Sequence, residues 1–180
     1  MTSDLDFYAH VATRGEVLGA GVGARPARWE AALGTGFLDI EEADLLRRDH
    51  GLVELSFQRD GDAWLCFGVS LQVHRLSQDT ESEVPASLRD VYGDVAPSVR
   101  FGQLTEAIAR LGHSVEPEPD AAGTSAGIHR HRVPGSGVRI FVRAPEGTQR
   151  QAGGSPVHQR LPRLVGGGRL NRPSPAPGRG

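Results

Sequence analysis

Residues 51–76 read GLVELSFQRDGDAWLCFGVSLQVHRL, and their alternation decides the fold class. Val53, Leu55 and Phe57 alternate with Glu54, Ser56 and Gln58. Leu65, Phe67, Val69, Leu71 and Val73 alternate with Trp64, Cys66, Gly68, Ser70, Gln72 and His74. Successive side chains of a strand leave opposite faces of a sheet, so a period of two predicts two half-buried strands. Arg59-Asp60-Gly61-Asp62-Ala63 between them has the chemistry of a turn. An Asp60-Gly61 turn would oppose Phe57 to Trp64 and Leu55 to Cys66, mixing the two sets. Moving the pairing by one residue opposes Phe57 to Leu65, Leu55 to Phe67 and Val53 to Val69, apolar against apolar throughout. The expected core face is therefore the odd-numbered one. Each side chain fully buried there contributes about 1.5–3 kcal/mol, and helices must cover it.

Working outward, 180 residues with 38% hydrophobic content suit one domain with a core of its own. A single cysteine excludes an internal disulfide and a multi-cysteine zinc site. No apolar run approaches the roughly 18 residues of a membrane-spanning helix. The opening Met1-Thr2-Ser3-Asp4-Leu5-Asp6 is acidic and lacks the basic-then-apolar layout of a signal peptide. The expectation is a soluble cytoplasmic protein. All 20 basic residues are arginine, which reads as a coding bias toward G and C.

Before the hairpin, Phe7-Tyr8-Ala9-His10-Val11-Ala12 alternates over a short run and reads as an edge strand. A Gly-rich loop over 14–24 follows. Pro26 suits a first helical turn, Trp29 and Leu33 lie four apart on one face, and Gly34 can close the helix. Asp39-Ile40-Glu41-Glu42 has the form of a capping box opening a short helix. Alternatively, Leu45-Leu46-Arg47-Arg48-Asp49 leads directly into the first hairpin strand; the residues leave both readings open. After the hairpin, 77–83 is polar and loop-like, and 85–92 suits one or two helical turns. Leu104, Ile108 and Leu111 form the apolar stripe of a helix over 101–112, the candidate cover for the hairpin. A second hairpin is expected from 128–133 and 138–142 around Pro134-Gly135-Ser136-Gly137.

Composition shifts near residue 144. Residues 144–180 hold one acid, Glu146, and six arginines, a net charge of +5; residues 1–143 hold 21 acids and 14 arginines, a net charge of −7. The segment lacks periodicity and is expected to be a disordered Arg/Gly/Pro-rich tail appended to a single domain at 1–143. As a basic arm it could bind nucleic acid through phosphates, yet no aromatics interleave its arginines as a stacking platform requires. A shifted reading frame in a G/C-rich gene would yield the same mixture.

Four features bear on chemistry. Gly19-Ala20-Gly21-Val22-Gly23-Ala24 satisfies a G-x-G-x-x-A dinucleotide pattern with Asp39 about 20 residues on, but only Val17-Leu18 stand where a strand is required. His129 and His131 would share one face of a strand and could supply two metal ligands, with no third ligand indicated by spacing. Cys66 and His74 are eight residues apart on one strand, roughly 26 Å, beyond nucleophile–base reach. Finally, Trp64 stands on the otherwise polar even face, where a large aromatic suits a protein-contact anchor.

The order of the Gly-rich loop, Pro26-Ala27-Arg28-Trp29-Glu30-Ala31-Ala32-Leu33-Gly34, Leu46 to Phe57 and the strand from Trp64 to Leu76 resembles small actinobacterial proteins. Some of these are similar to the immunity proteins of bacterial toxin systems. Over residues 7–143 the resemblance implies an acidic binding protein that occludes a toxin, with no catalytic residues; no cofactor is expected. The −7 charge of that region would suit a basic toxin by electrostatic steering. The combined expectation is an α+β domain: a small antiparallel sheet of hairpins with helices packed on one face. Its function would be non-enzymatic protein binding through Trp64, Glu54, Asp60 and Asp62. The alternative is an enzyme or ligand-binding protein using Gly19–Ala24 or His129 and His131.

Overall fold

The computed structural model describes residues 5–77, 79–119 and 127–143, together with the backbone of 160–167. The fold is α+β. Among the described residues, helices α1 (Asp6–Arg14), α2 (Pro26–Leu33), α3 (Thr80–Glu83), α4 (Ala86–Tyr92) and α5 (Phe101–Arg110) accompany ten strands. Strands β1 (Glu16–Val17) and β2 (Ala20–Gly21) form a small hairpin of their own. The others are β3 (Leu38–Glu42), β4 (Leu45–His50), β5 (Val53–Asp60), β6 (Ala63–Leu71), β7 (Glu116–Glu118), β8 (Ile128–Val133), β9 (Val138–Arg143) and β10 (Arg160–Gly167). These make one eight-stranded sheet in the order β3-β4-β5-β6-β10-β9-β8-β7, antiparallel throughout. Two meanders of consecutive hairpins are thus joined by β10.

The β5–β6 hairpin forms as expected, but its register is neither of the two the sequence suggests. Asp60 pairs with Ala63, so the turn is Gly61–Asp62, with Gly61 at φ 60° in the position that favours glycine. Near the turn Phe57 pairs with Cys66; farther away Leu55 pairs with Val69 and Val53 with Leu71. The pairing shifts between Ser56 and Phe57, which leaves Phe67 as the extra residue of a β-bulge. The bulge reconciles a two-residue turn with apolar pairing. Its consequence is a change of face: Cys66 joins Val53, Leu55, Phe57, Val69 and Leu71 in the core, while Leu65 and Phe67 are only half-buried.

Three elements differ from expectation. Residues 7–12 are helical, not an edge strand, because Phe7 and Val11, four apart, both enter the core beside Tyr8 and Ala12. Residues 38–50 are the strand pair β3–β4, not a capped helix, and Leu45–His50 is a strand in its own right. Its alternation buries Leu46, Arg48 and His50 against Phe57, Leu55 and Val53, their partners on β5. A buried arginine and histidine hid this period of two. Helix α5 packs on α1, which lies against β9; it is α2 that touches β6. Leu104 and Ile108 of α5 are buried, but Leu111 caps the helix and is exposed.

The expected tail falls largely outside the described residues. Within it, 160–167 is an extended strand pairing on both sides, Leu164 with Leu71 and with Ile140. Its lack of periodicity is no bar to pairing, because backbone groups supply the ladder.

The β4–β5 turn depends on Gly51. Its φ of 77° is left-handed, the Leu52 N–H donates to the Glu83 carbonyl over 2.6 Å, and a Cβ on residue 51 would run into that same carbonyl. Gly51→Ala is therefore expected to lower unfolding free energy by about 2 kcal/mol or more, read from urea denaturation. An unchanged midpoint would contradict this packing.

Candidate protein-contact surface

The residues expected to form one contact surface lie on two faces. Beyond the bulge, Trp64 shares the core side with Cys66; it is half-buried against the core, with the Arg59 guanidinium 4.5 Å from its ring centre. Glu54 is on the opposite face, buried at 8% exposure, and accepts from Arg75 Nη2 over 3.4 Å. Arg75, from the short 3-10 turn Val73–Ser77, also holds Asp49 (2.7 and 2.9 Å) and the Gly51 carbonyl. Glu54 therefore belongs to an internal ion network and not to a surface with Trp64. Asp60 and Asp62 are exposed at the hairpin tip.

The two turns 43–44 and 61–62 lie at the same end of the sheet, since one antiparallel hairpin passes between them. Glu41, Glu42, Asp44, Asp60 and Asp62 gather there. Arg59 ties the tips together: its amide donates to the Asp44 carbonyl, and its side chain reaches Glu41 at 3.1 Å and Asp44 at 3.9 Å. Beside this acidic end, β3 and β4 expose Leu38 (74%), Ile40 (50%) and Leu45 (51%). Pairing of Leu38 with Asp49, Ile40 with Arg47 and Glu42 with Leu45 puts all three on the sheet face opposite the core. They form an exposed apolar group on that face.

Behind that surface lies a cluster the sequence reading missed. Arg48 is 5% exposed. Its Nε and Nη2 donate to the two oxygens of Asp39 (both 2.8 Å) and its Nη1 to Glu30 (2.7 Å), with the guanidinium 3.6 Å from the centre of the Phe37 ring. Burial alone would lower its pKa; the two carboxylates outweigh it and hold the guanidinium charged. The cluster joins α2 to β3 and β4. Its only signal in the sequence is the period of two that places Leu46, Arg48 and His50 together. His50, packed on Phe37, has its pKa lowered by burial and by Arg48.

The other candidates lie elsewhere. In the Gly19–Ala24 loop the Gly23 amide donates to the Cys66 carbonyl (2.7 Å) and the Cys66 amide to the Ala24 carbonyl (2.9 Å). This staples the loop to β6 beside the bulge. The loop's backbone is thus committed to the fold. His129 and His131 do share a face, pairing with Val142 and Ile140. His131 packs on Phe101 at 4.3 Å, and both histidines line a cavity of about 390 Å³ whose rim carboxylate, Glu118, is held by Arg139 at 2.9 Å. Burial first, then His129, lowers the His131 pKa. Among the described residues no group of three His, Cys, Asp or Glu side chains could hold a metal ion. Cys66 is buried, its thiol donating to the Gly68 carbonyl, and burial pushes its pKa up to about 11.

No family model, no curated protein and no solved structure matches the chain. Among the described residues no helix is long and apolar enough to cross a membrane.

Cys66 is expected to resist iodoacetamide at neutral pH in the native protein and to react once the chain is unfolded in urea; rapid native alkylation would contradict its burial. His50 sets a pH dependence. Its folded pKa lies below the unfolded value of about 6.5, so below that pH the unfolded chain binds the extra proton and stability falls on acidification. Urea midpoints should drop as the pH falls through about 6.5, and His50→Leu should shrink that drop, leaving the part due to His131. An identical pH slope in the variant would remove His50 from the account.

Proposed function

We propose that this chain is a non-enzymatic protein-binding domain, working in the cytoplasm, whose partner is a basic protein. The observation that carries this reading is the exposed trio Leu38, Ile40 and Leu45 set beside the carboxylates of two neighbouring turns. Apolar side chains supply contact energy at an interface, and a rim of one charge steers an oppositely charged partner. The charge of −7 over residues 1–143 points the same way. Toxin neutralisation of the immunity-protein type is the biological class that such a surface suits. The contact residues are Leu38, Ile40 and Leu45 with Asp60 and Asp62; Trp64 supports the tip by stacking under Arg59. The buried thiol of Cys66 and the committed backbone of the Gly19–Ala24 loop weigh against a catalytic role for either.

The test uses full-length bait, wild type and Leu38→Asp/Ile40→Asp, both verified as folded by circular dichroism. Each is passed through lysate of the parent cell and the eluates are compared by mass spectrometry. The expected result is a stoichiometric basic protein on the wild type, reduced at least about tenfold on the variant. Equal recovery on both baits, or no partner on the wild type, would overturn the reading.

A further inference from the structure

The two edges of the eight-stranded sheet are finished differently. At one end β7 is three residues long, Glu116-Pro117-Glu118, with proline at its centre. Proline has no amide hydrogen to offer, and a short proline-bearing strand is a standard guard against further pairing. At the other end β3 is Leu38-Asp39-Ile40-Glu41-Glu42, five residues without proline or glycine, every one exposed. It pairs with β4 alone, and among the described residues no other backbone group bonds to it. What guards β3 is charge of one sign.

That guard is selective. An antiparallel pairing of β3 with its own copy about Ile40 would set Asp39 against Glu41 on one face and Leu38 against Glu42 on the other, and like charges directly opposed destabilise a sheet. The negative charge is only partly cancelled from within, since Glu30, Asp39, Glu41, Glu42 and Asp44 stand against Arg47, Arg48 and Arg59. Arg48 is shared between Glu30 and Asp39, and Arg59 between Glu41 and Asp44, so each guanidinium serves two carboxylates. The edge repels acidic strands, its own copy included, and attracts basic ones.

We infer that β3 accepts an added strand: an extended segment of a basic partner in which arginine or lysine alternates with β-branched apolar residues. This rests on the protein-binding reading above and specifies its mode. Main-chain hydrogen bonds to the open edge give affinity, and alternate side chains give selectivity. The partner's apolar residues lie beside Leu38 and Ile40, on the face they share with Leu45. Its basic residues lie beside Asp39 and Glu41 on the other face, where they take up the carboxylate excess that Arg48 and Arg59 leave.

The test is a titration of the full-length, ¹⁵N-labelled protein with a short acetylated and amidated peptide of alternating arginine and valine, followed by NMR. The expected result is saturable binding, with shifts centred on residues 38–42 and 45 and slowed exchange of the outward amides of β3. Methylating alternate backbone nitrogens of the peptide should weaken binding about tenfold or more, since it removes the ladder and keeps the charge. Equal affinity of the methylated peptide, shifts confined to residues 44 and 60–62, or no saturable binding would each overturn strand addition. A dimer whose β3 amides are protected before any peptide is added would make the occupant a second copy, and would overturn it too. Should the captured partner still depend on Leu38 and Ile40 while any of these holds, the mode fails and the protein-binding reading stands; the reading itself fails only through the bait comparison.

Discussion

The bulge at Phe67 is the constraint on which the rest of the central sheet depends. It lets β5 and β6 keep both a two-residue turn at Gly61–Asp62 and apolar pairing deeper in the hairpin. By adding one residue to β6 it exchanges the faces beyond it, sending Cys66 inward and carrying Trp64 to the core side. The neighbouring backbone is fitted to that kink. Among the described residues β10 pairs with β6 up to Gly68, and the Gly23–Ala24 backbone bonds to β6 at Cys66. Without the bulge, either the apolar set or the turn would be out of register; the turn itself sets Arg59 opposite Trp64.

The charge arrangement follows from the unbroken pairing of β3, β4 and β5. Arg59 stands on the core side of β5, where it reaches Glu41 and Asp44, while Arg48 stands beneath Asp39 and Glu30. These two arginines anchor the edge strand through side chains rather than through a second neighbouring strand. The outcome is an edge that is ordered and acidic and, among the described residues, unpaired on its outer side. Ordering β3 in advance lowers the entropic cost of taking up a partner.

How much of this could be read from the chain varied by element, for physical reasons. The β5–β6 and β8–β9 hairpins and helices α2 and α5 follow from apolar spacing and glycine or proline punctuation, and the structure has them. Strand β4 was hidden because two of its three inward residues are Arg48 and His50, whose burial is supported by Asp39, Glu30 and Phe37 from other elements. No local pattern carries such a partnership. Helix α1 was misread because six residues can satisfy periods of two and of 3.6 alike. Of the expected contact residues, Asp60 and Asp62 are exposed; Trp64 lies on the core side because the alternation of β6 breaks at the bulge, whereas Glu54 keeps its expected face and is buried there against Arg75. One inserted residue reverses every such assignment beyond it. The exposure of Leu38, Ile40 and Leu45 is legible only once β3 and β4 are read as a strand pair, since it is that pairing that puts all three on the face opposite the core.

The claim at the centre of this account is that β3 is an ordered strand with one open edge. Amide hydrogen exchange across residues 38–42, followed by NMR in the free protein, tests it most directly. The account predicts alternation: amides directed at β4 protected, amides directed outward exchanging at rates near those of an unfolded chain. Uniform protection would mean that the edge is already covered, and uniformly fast exchange would mean that β3 is not a strand; either result would contradict it.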